Sequence, residues 1–429
     1  MRSLESNSRD EGILEVRKIV GDSTAPKAFS KRPNNVAKCQ WANHHAVHAG
    51  DDAILNEISI WYPAPAYCIM MNTPFGGNLT MFKLSLYSNC HLQEIDEKFY
   101  SYPFTHRNLC TVVDGVNDTM LEAITPHLLD KWPNTYAFTK AIAEDSVRDE
   151  GVGLPIGVFR PSIVVGTRNE PVSGWIDNLY GPTGVFVGAG TGFIKTIHVD
   201  GMKTANIVPV DMTVNALIVS AWEVAKKPRA KSAEEIPVYN YVSSVQKPLT
   251  WDQFMDIGSR HGIQVPSMRS MWYYSLTLNK RRSVHLVYLL FLHFIPATIL
   301  DGIALLLGKR PKLLKIYKKI NKFCDVISYF STRDWKFTNK NVQELWQKLD
   351  EEDRKLFDFN IDDLDWDKYF YTYVRGIRLY LLKDDLSTIP QARARYKRLR
   401  WIHEGVKFLT AILVLRLLWT IQSLLSQQK

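Results

Sequence analysis

The hydrophobic pattern divides the chain into a portion of short apolar runs separated by helical stretches, and a portion holding two long apolar segments. Order begins at Leu79. Leu79–Tyr87 reads as a strand that closes on the polar run Ser88-Asn89-Cys90-His91. Glu94–Tyr100 reads as a charged loop or short helix, and Met120–Leu129 as a helix. The run Trp132–Asp145 predicts another helix, followed by Val158–Gly166, an apolar strand of the buried kind running into a loop. Thr204–Val224 joins a strand, Ala205–Val210, to a helix with Asp211 as its predicted N-cap, and Pro237–Val242 is a further strand. Strands alternating with helices predict an α/β fold with a doubly wound parallel sheet.

Beyond Trp251 the alternation stops and a mostly helical portion follows. Leu286–Leu307 is apolar except for His293, Pro296 and Asp301, and at 22 residues it is long enough to span a bilayer. Basic residues stand on both flanks, Lys280-Arg281-Arg282 and Lys309-Arg310, so the positive-inside rule gives no orientation. A hairpin, or a helix lying in the interface, accounts for the interruptions better than a span. Residues 335–392 are polar, helical and rich in aromatics (Trp335, Trp346, Trp366, Tyr369, Phe370, Tyr371), which read as core packing. Phe408–Leu425 carries one charge, Arg416, and 11 Leu, Ile, Val or Phe residues. A central arginine costs about 2.5–3.5 kcal/mol on insertion, which those residues offset at about 0.3–0.6 each. A C-terminal membrane anchor is the expectation.

Charge sharpens the membrane reading. The net charge is +9, yet Lys309–Lys322 holds seven basic residues and Arg393–Arg400 five, with no acid in either. The remainder is therefore mildly acidic, and both basic runs adjoin the apolar segments. That pattern points to anionic lipid and away from nucleic acid. Five scattered cysteines, without a Cys-x-x-Cys pair, argue against a disulfide framework or a zinc site, and Met1–Asp22 lacks the apolar run of a secretory signal. His44 and His48 stand four apart, but no glutamate or further ligand cluster accompanies them, so no metal is expected.

The candidate chemistry lies in Asn134-Thr135-Tyr136-Ala137-Phe138-Thr139-Lys140. Tyr136 and Lys140, four apart, share a helix face. An ammonium beside a phenol is expected to lower the tyrosine pKa, making it a usable proton donor to a carbonyl oxygen receiving hydride. The spacing alone is weak, since tyrosine and lysine are common on solvated faces; the strand and Pro161-Ser162 loop that follow strengthen it. The arrangement resembles the tyrosine–lysine pair of the short-chain dehydrogenase/reductases.

The ordered stretches Tyr87–Tyr100, Pro133–Lys140, Phe159–Val164, Ala189–Gly192, Val208–Asp211, Trp335–Thr338 and Gly376–Leu382 resemble the alcohol-forming fatty acyl-CoA reductases, especially those of insects. The resemblance implies an extended Rossmann reductase domain followed by a membrane-associated helical domain. It implies NADPH reducing a long-chain acyl-CoA, through a bound aldehyde, to a primary alcohol. Tyr136 would donate the proton and Lys140 would hold the ribose hydroxyls; Tyr136, Lys140, Pro161, Ser162 and Ile163 would meet the cofactor. The family's Ser-Thr-Ala-Tyr stretch falls on Leu84-Ser85-Leu86-Tyr87, which leaves Ser85 as the hydroxyl that polarises the substrate carbonyl.

The family also begins with a strand, a Gly-rich turn and a helix whose N-terminus meets the pyrophosphate. Residues 1–80 show no such order. Gly76-Gly77 stands alone, Lys18–Asp22 is a faint match to a later family strand, and Gly188–Gly192 reads as a glycine loop near a substrate or cofactor mouth. The expected fold is therefore an incomplete Rossmann-like doubly wound parallel sheet followed by a mostly helical, membrane-associated C-terminal domain. The expected division is 1–80, a truncated or misassembled remnant of the cofactor-binding half; 81–265, the reductase domain; 266–330, a basic and apolar membrane-associated segment; 331–406, a helical domain; and 407–429, the anchor. The catalytic part is expected on the cytosolic face, with the endoplasmic reticulum preferred to the peroxisome. Membrane lipid and acyl-CoA are the expected partners, and a homo-oligomer is left open. The competing reading is a catalytically silent membrane-associated remnant, with a sugar epimerase or hydroxysteroid dehydrogenase third.

Overall fold

The computed structural model describes residues 67–72, 78–102 and 104–427, with side chains from Met81 onward. The histidine patch, Lys18–Asp22 and Gly76-Gly77 lie outside the described residues. In chain order the first elements are β1 (Tyr67–Asn72), β2 (Asn78–Lys83), β3 (Glu94–Ile95), α1 (His106–Gly115), α2 (Asp118–Leu129) and α3 (Thr135–Glu150). There follow β4 (Ile156–Pro161), β5 (Ile163–Val165), α4 (Pro182–Gly190), β6 (Thr196–His198), β7 (Ile207–Pro209) and α5 (Val210–Lys226). Next come β8 (Val238–Tyr241), α6 (Trp251–Gln264), β9 (Thr277–Asn279), α7 (Arg282–Leu289) and α8 (Ile295–Leu306). The chain closes with α9 (Leu313–Ser331), β10 (Lys336–Phe337), α10 (Lys340–Lys348), α11 (Glu351–Leu356), α12 (Trp366–Gly376) and α13 (Ile389–Gln427).

The chain forms two compact units. The first takes the described residues up to Val164, with Met212–Gln246 and Trp335–Asn360; the second takes Val165–Asp211, Lys247–Asp334 and Ile361 onward.

A four-stranded sheet, order β1-β2-β4-β8, organises the first unit. β2, β4 and β8 are parallel, and β1 lies antiparallel on the edge. This is the Rossmann-like parallel arrangement expected, with a mostly helical C-terminal portion. Every residue of β4 is buried, as befits a strand covered on both faces. Leu84, Val147, Ile156, Val158, Ile236 and Val238 form a core cluster on the sheet. Gly157 keeps β4 close to its neighbours, since a Cβ there would stand 2.9 Å from Val224 Cγ2 and 3.0 Å from Met81 Sδ. β2 ends earlier than the predicted Leu79–Tyr87 strand. Ser85 caps a 3-10 turn over Leu86–Asn89, its hydroxyl accepting from the Tyr87 amide at 3.2 Å. Glu94-Ile95, within the predicted charged loop, pairs instead with β10, and the Trp335 indole donates to the Cys90 carbonyl at 2.9 Å.

In the second unit, α6 and α12 pack through Phe254 and Phe370, whose rings meet edge to face at 5.1 Å. Two expectations are corrected here. Gly188–Gly190 is the last turn of α4, not a loop; Gly192 beyond it sits at φ +82°, where a Cβ would lie 2.6 Å from the Trp272 carbonyl oxygen. Asp211 is no N-cap. It lies in the first turn of α5, and its carboxylate accepts from the amides of Arg168, Asn169 and Glu170 at 2.9, 2.7 and 3.0 Å. Among the predicted core aromatics, Trp335, Trp366, Tyr369 and Phe370 are buried, whereas Tyr371 is 47% exposed.

The apolar segment is one helical run, α7 and α8 joined through a π-turn at Leu290–Phe294. Among the described residues, Arg282–Leu306 is the helix long and apolar enough to cross a membrane by length and composition. Its polar residues each have a place in this unit. His285 Nδ1 is 3.0 Å from the Thr196 hydroxyl, and His293 Nε2 accepts from the Lys195 amide at 2.9 Å. Asp301 receives the amides of Lys312, Leu313 and Leu314 at 3.0, 3.0 and 2.8 Å, capping the start of α9 across the turn. Leu290, Phe291, Ile299, Leu300, Ile303 and Leu306 stay exposed on the run's outer side.

Candidate active site

α3 starts at Asn134, whose side-chain oxygen accepts from the Ala137 amide at 2.9 Å. Tyr136 therefore falls in the first turn and Lys140 one turn later. Lys140 is 5% exposed, with Nζ 5.9 Å from the centre of the Tyr136 ring. The Tyr136 hydroxyl shares a hydrogen bond with the Ser85 hydroxyl. The structure thus brings together Tyr136, Lys140 and Ser85, from the helix and from the turn closing β2.

The expected lowering of the Tyr136 pKa by Lys140 is corrected. Burial raises it, and the Ser85 hydrogen bond pulls the other way. Lys140 is itself pushed down to about 8, first by burial and then by the nearby Lys83 ammonium. Lys83, at the end of β2, is likewise lowered by burial. Sequence reasoning passed over Lys83; its signal was a lysine two residues before Ser85, the spacing that puts both side chains on one side of an extended segment.

Pro161 ends β4, Ser162 follows with its amide bonded to the Tyr241 carbonyl at 2.9 Å, and Ile163 opens β5. β2 and β4 run parallel with Lys83 opposite Phe159, so Ser85 and Pro161-Ser162-Ile163 gather at the same carboxyl end of the sheet. The Ser162 hydroxyl is buried and has no hydrogen-bond partner among the described residues. Leu84, the other residue at the place of the family's hydroxyl pair, is 3% exposed in the core cluster.

One turn beyond Lys140, Glu144 is fully buried and paired with Arg160 of β4, also fully buried. Arg160 donates from Nε and one terminal nitrogen to the two carboxylate oxygens at 2.8 and 2.7 Å. Tyr102 and Asn89 add hydrogen bonds to Glu144 at 2.8 and 3.1 Å, and Arg160 also reaches the carbonyls of Asp96 and Lys98 at 3.1 and 3.0 Å. This network ties the Tyr136–Lys140 helix to β4 and to the segment that follows Ser85. It was not anticipated, because neither residue stands out in sequence.

Two family models, each described as male sterility protein, match the chain: an NAD-binding model over residues 78–217, and a second over 292–384. Fatty acyl-CoA reductase wat of Drosophila melanogaster is 40% identical over 317 residues, 74% of this chain and 60% of that protein. Fatty acyl-CoA reductase 2 of Homo sapiens is 34% identical over 324 residues, 74% of this chain and 61% of that protein. The chain thus spans about three fifths of the length of these curated relatives. Among solved structures, the terminal R domain from the myxalamid PKS-NRPS biosynthetic pathway aligns at a TM-score of 0.36 and 12% identity, covering 69% of this chain and 57% of that one.

Proposed function

The chain belongs to the fatty acyl-CoA reductase family, and from that premise we propose that it reduces long-chain fatty acyl-CoA to the primary alcohol with NADPH, through a bound aldehyde. The observation that carries the reading is the placement of buried Lys140 one turn from Tyr136 on the same helix, its Nζ 5.9 Å from the centre of the Tyr136 ring, with Ser85 at the strand end acting on the same phenol. The carbonyl oxygen lies between the two hydroxyls, where Ser85 donates to the developing charge and Tyr136 delivers the proton. A tyrosine held above its ordinary pKa stays protonated at neutral pH, as a donor in the reductive direction must. In the first round the protonated adduct expels the CoA thiol and leaves the aldehyde; in the second the aldehyde oxygen takes the proton and becomes the alcohol.

A bound nicotinamide would supply the hydride for each round. The residues present suit such a group: Lys140 is a buried cation for ribose hydroxyls, and the unpartnered Ser162 hydroxyl stands at the carboxyl end of β4, the end at which open parallel sheets take ligands. Lys140, Tyr136, Pro161, Ser162 and Ile163 would hold it.

Membrane lipid is the second proposed partner. The exposed apolar side of Arg282–Leu306 would lie in the interface beside the basic run Lys309–Lys322, with Phe408–Leu425 as an anchor holding the catalytic part on the cytosolic face of the endoplasmic reticulum.

Titration of the purified chain with NADPH, followed by palmitoyl-CoA turnover, tests the reading. Tyr136→Phe should lower alcohol formation by about 100-fold or more while NADPH binding is kept. Turnover retained in Tyr136→Phe removes that residue from its role. The absence of saturable NADPH binding by the unmodified chain favours the membrane-associated remnant without turnover.

A further inference from the structure

Ser283 is the one serine or threonine of the chain preceded by three consecutive basic residues, Lys280-Arg281-Arg282. It is exposed in the first turn of α7. The N-cap residue, Arg281, gives that turn no side-chain hydrogen bond, so the turn opens without loss of a cap. Two of the three basic side chains are held only at the surface. Lys280 Nζ lies 3.0 Å from the Asp200 carboxylate and an Arg282 terminal nitrogen 3.7 Å from that of Asp325, with both cations more than half exposed.

Position on the helix gives this hydroxyl its consequence. Leu286, Val287, Leu290 and Phe291 follow Ser283 at three, four, seven and eight residues, the spacing of one helix face, and all four are exposed. Ser283 therefore heads the apolar face proposed above to lie in the membrane interface. A phosphoryl group there carries about −1.5 to −2 charges at neutral pH. Such a group cannot follow the face into lipid. It also offsets most of the charge on the Lys280–Arg282 flank, which draws that face to anionic headgroups.

We propose that Ser283 is a phosphorylation site for a kinase that reads basic residues ahead of its acceptor, and that the phosphoryl group lifts the Leu286–Phe291 face from anionic lipid. ATP is the co-reactant. The bond from Ser283 Oγ to the γ-phosphorus forms as the bond from that phosphorus to the β,γ-bridging oxygen breaks; ADP leaves, and a carboxylate of the kinase takes the hydroxyl proton. The site is separate from the Tyr136–Lys140 chemistry and does not depend on the reductase reading. The release from lipid rests on the membrane reading; the phosphorylation of Ser283 does not.

The test treats the full chain, in phosphatidylcholine–phosphatidylserine vesicles, with the catalytic subunit of cAMP-dependent protein kinase, ATP and Mg²⁺. Mass spectrometry should find phosphate on Ser283. Arg281→Gln, which keeps the backbone carbonyl that accepts from the His285 amide, should slow its addition about tenfold or more, the share of a hydrogen bond to a charged group. A phospholipid with a diazirine in its acyl chain then reports contact. It should label Val284–Phe291 in the untreated chain, and phosphate should lower that label by about 10–30-fold, the effect of its charge at an anionic surface. Ser283→Ala should keep the label with or without the kinase, at an unchanged melting temperature. Phosphate confined to other residues, or addition unaffected by Arg281→Gln, would overturn the site. A label unchanged when Ser283 carries phosphate would overturn the release. No label on Val284–Phe291 in the untreated chain would instead sink the membrane reading and the release with it, so the two failures are told apart.

Discussion

Replacing Glu144 with glutamine tests whether the buried ion pair holds the candidate site together. Tyr136, Lys140 and Glu144 are spaced by four along α3, so the residue anchoring the helix lies one turn below the residues proposed to act. Glu144 accepts four hydrogen bonds, two from Arg160 and one each from Tyr102 and Asn89, and both members of the pair are fully buried. Glutamine keeps the shape, removes the charge, and turns an amide N–H₂ toward donors. Arg160 is left buried without compensation, which costs about 3–5 kcal/mol. At roughly 2–4 °C per kcal/mol for a domain of this size, the melting transition of the first unit should fall by roughly 6–20 °C. Calorimetry of the variant measures this. Arg160→Met in the same background removes the orphaned charge and should recover part of the loss, giving a coupling energy from the four-member cycle. The reasoning is refuted if Glu144→Gln costs under about 1 kcal/mol, the value of an exposed pair, or if the double variant loses the sum of the two single losses.

Ser85→Ala removes the hydroxyl bonded to Tyr136; palmitoyl-CoA turnover should fall about 100-fold through kcat, with KM little changed, while equal loss in NADPH binding would point to a merely structural role. Lys140 gives opposite trends with pH. Its pKa is about 8 in the folded chain against an ordinary 10.5, so the unfolded chain binds more protons between those values and stability should rise with pH across that window. NADPH affinity, which uses the charged form, should fall above about pH 8; Lys83→Met removes the second cause of the shift and should move that fall to higher pH, and an unmoved profile would remove Lys83 from the account. Asp301→Ala frees the Lys312, Leu313 and Leu314 amides, whose hydrogen exchange should quicken while that of α6 is unchanged; unaltered exchange at the three amides would show that Asp301 does not hold the turn.

What was legible in the sequence was local. The helix carrying Tyr136 and Lys140, the buried strand through Val158 and Phe159, and the strand at Pro237–Val242 followed from period and apolar runs, because each reports its own surroundings. What was not legible depended on contacts distant in sequence. Glu144 and Arg160 are ordinary residues of a helix and a strand until the fold buries them against each other. Asp211 has the composition of an N-cap, but the loop Arg168–Glu170 presents three amides to it and takes the carboxylate for itself. The direction of the Tyr136 shift was misjudged for the same reason. Spacing shows that an ammonium is near, but not how much water the phenol loses.

The apparent departure from the family at Leu84-Ser85 takes a different meaning once the strand end is seen in three dimensions. Successive side chains of an extended segment point to opposite sides. Leu84 points into the cluster with Val147, Val158 and Val238, so a hydroxyl there would be buried among apolar side chains. Lys83 and Ser85 point the other way, and their effects are felt on α3: Lys83 lowers the pKa of Lys140, and Ser85 bonds Tyr136. Two residues, two apart on the strand end, thus address two residues four apart on the helix. The leucine therefore alters a core position, while the hydroxyl facing the phenol is kept. The residue of this strand end that bears on Lys140 is Lys83. A second buried cation beside Lys140 destabilises its charged form unless an anion or a ring of hydroxyls is bound there, and this couples the protonation of Lys140 to occupancy of the site.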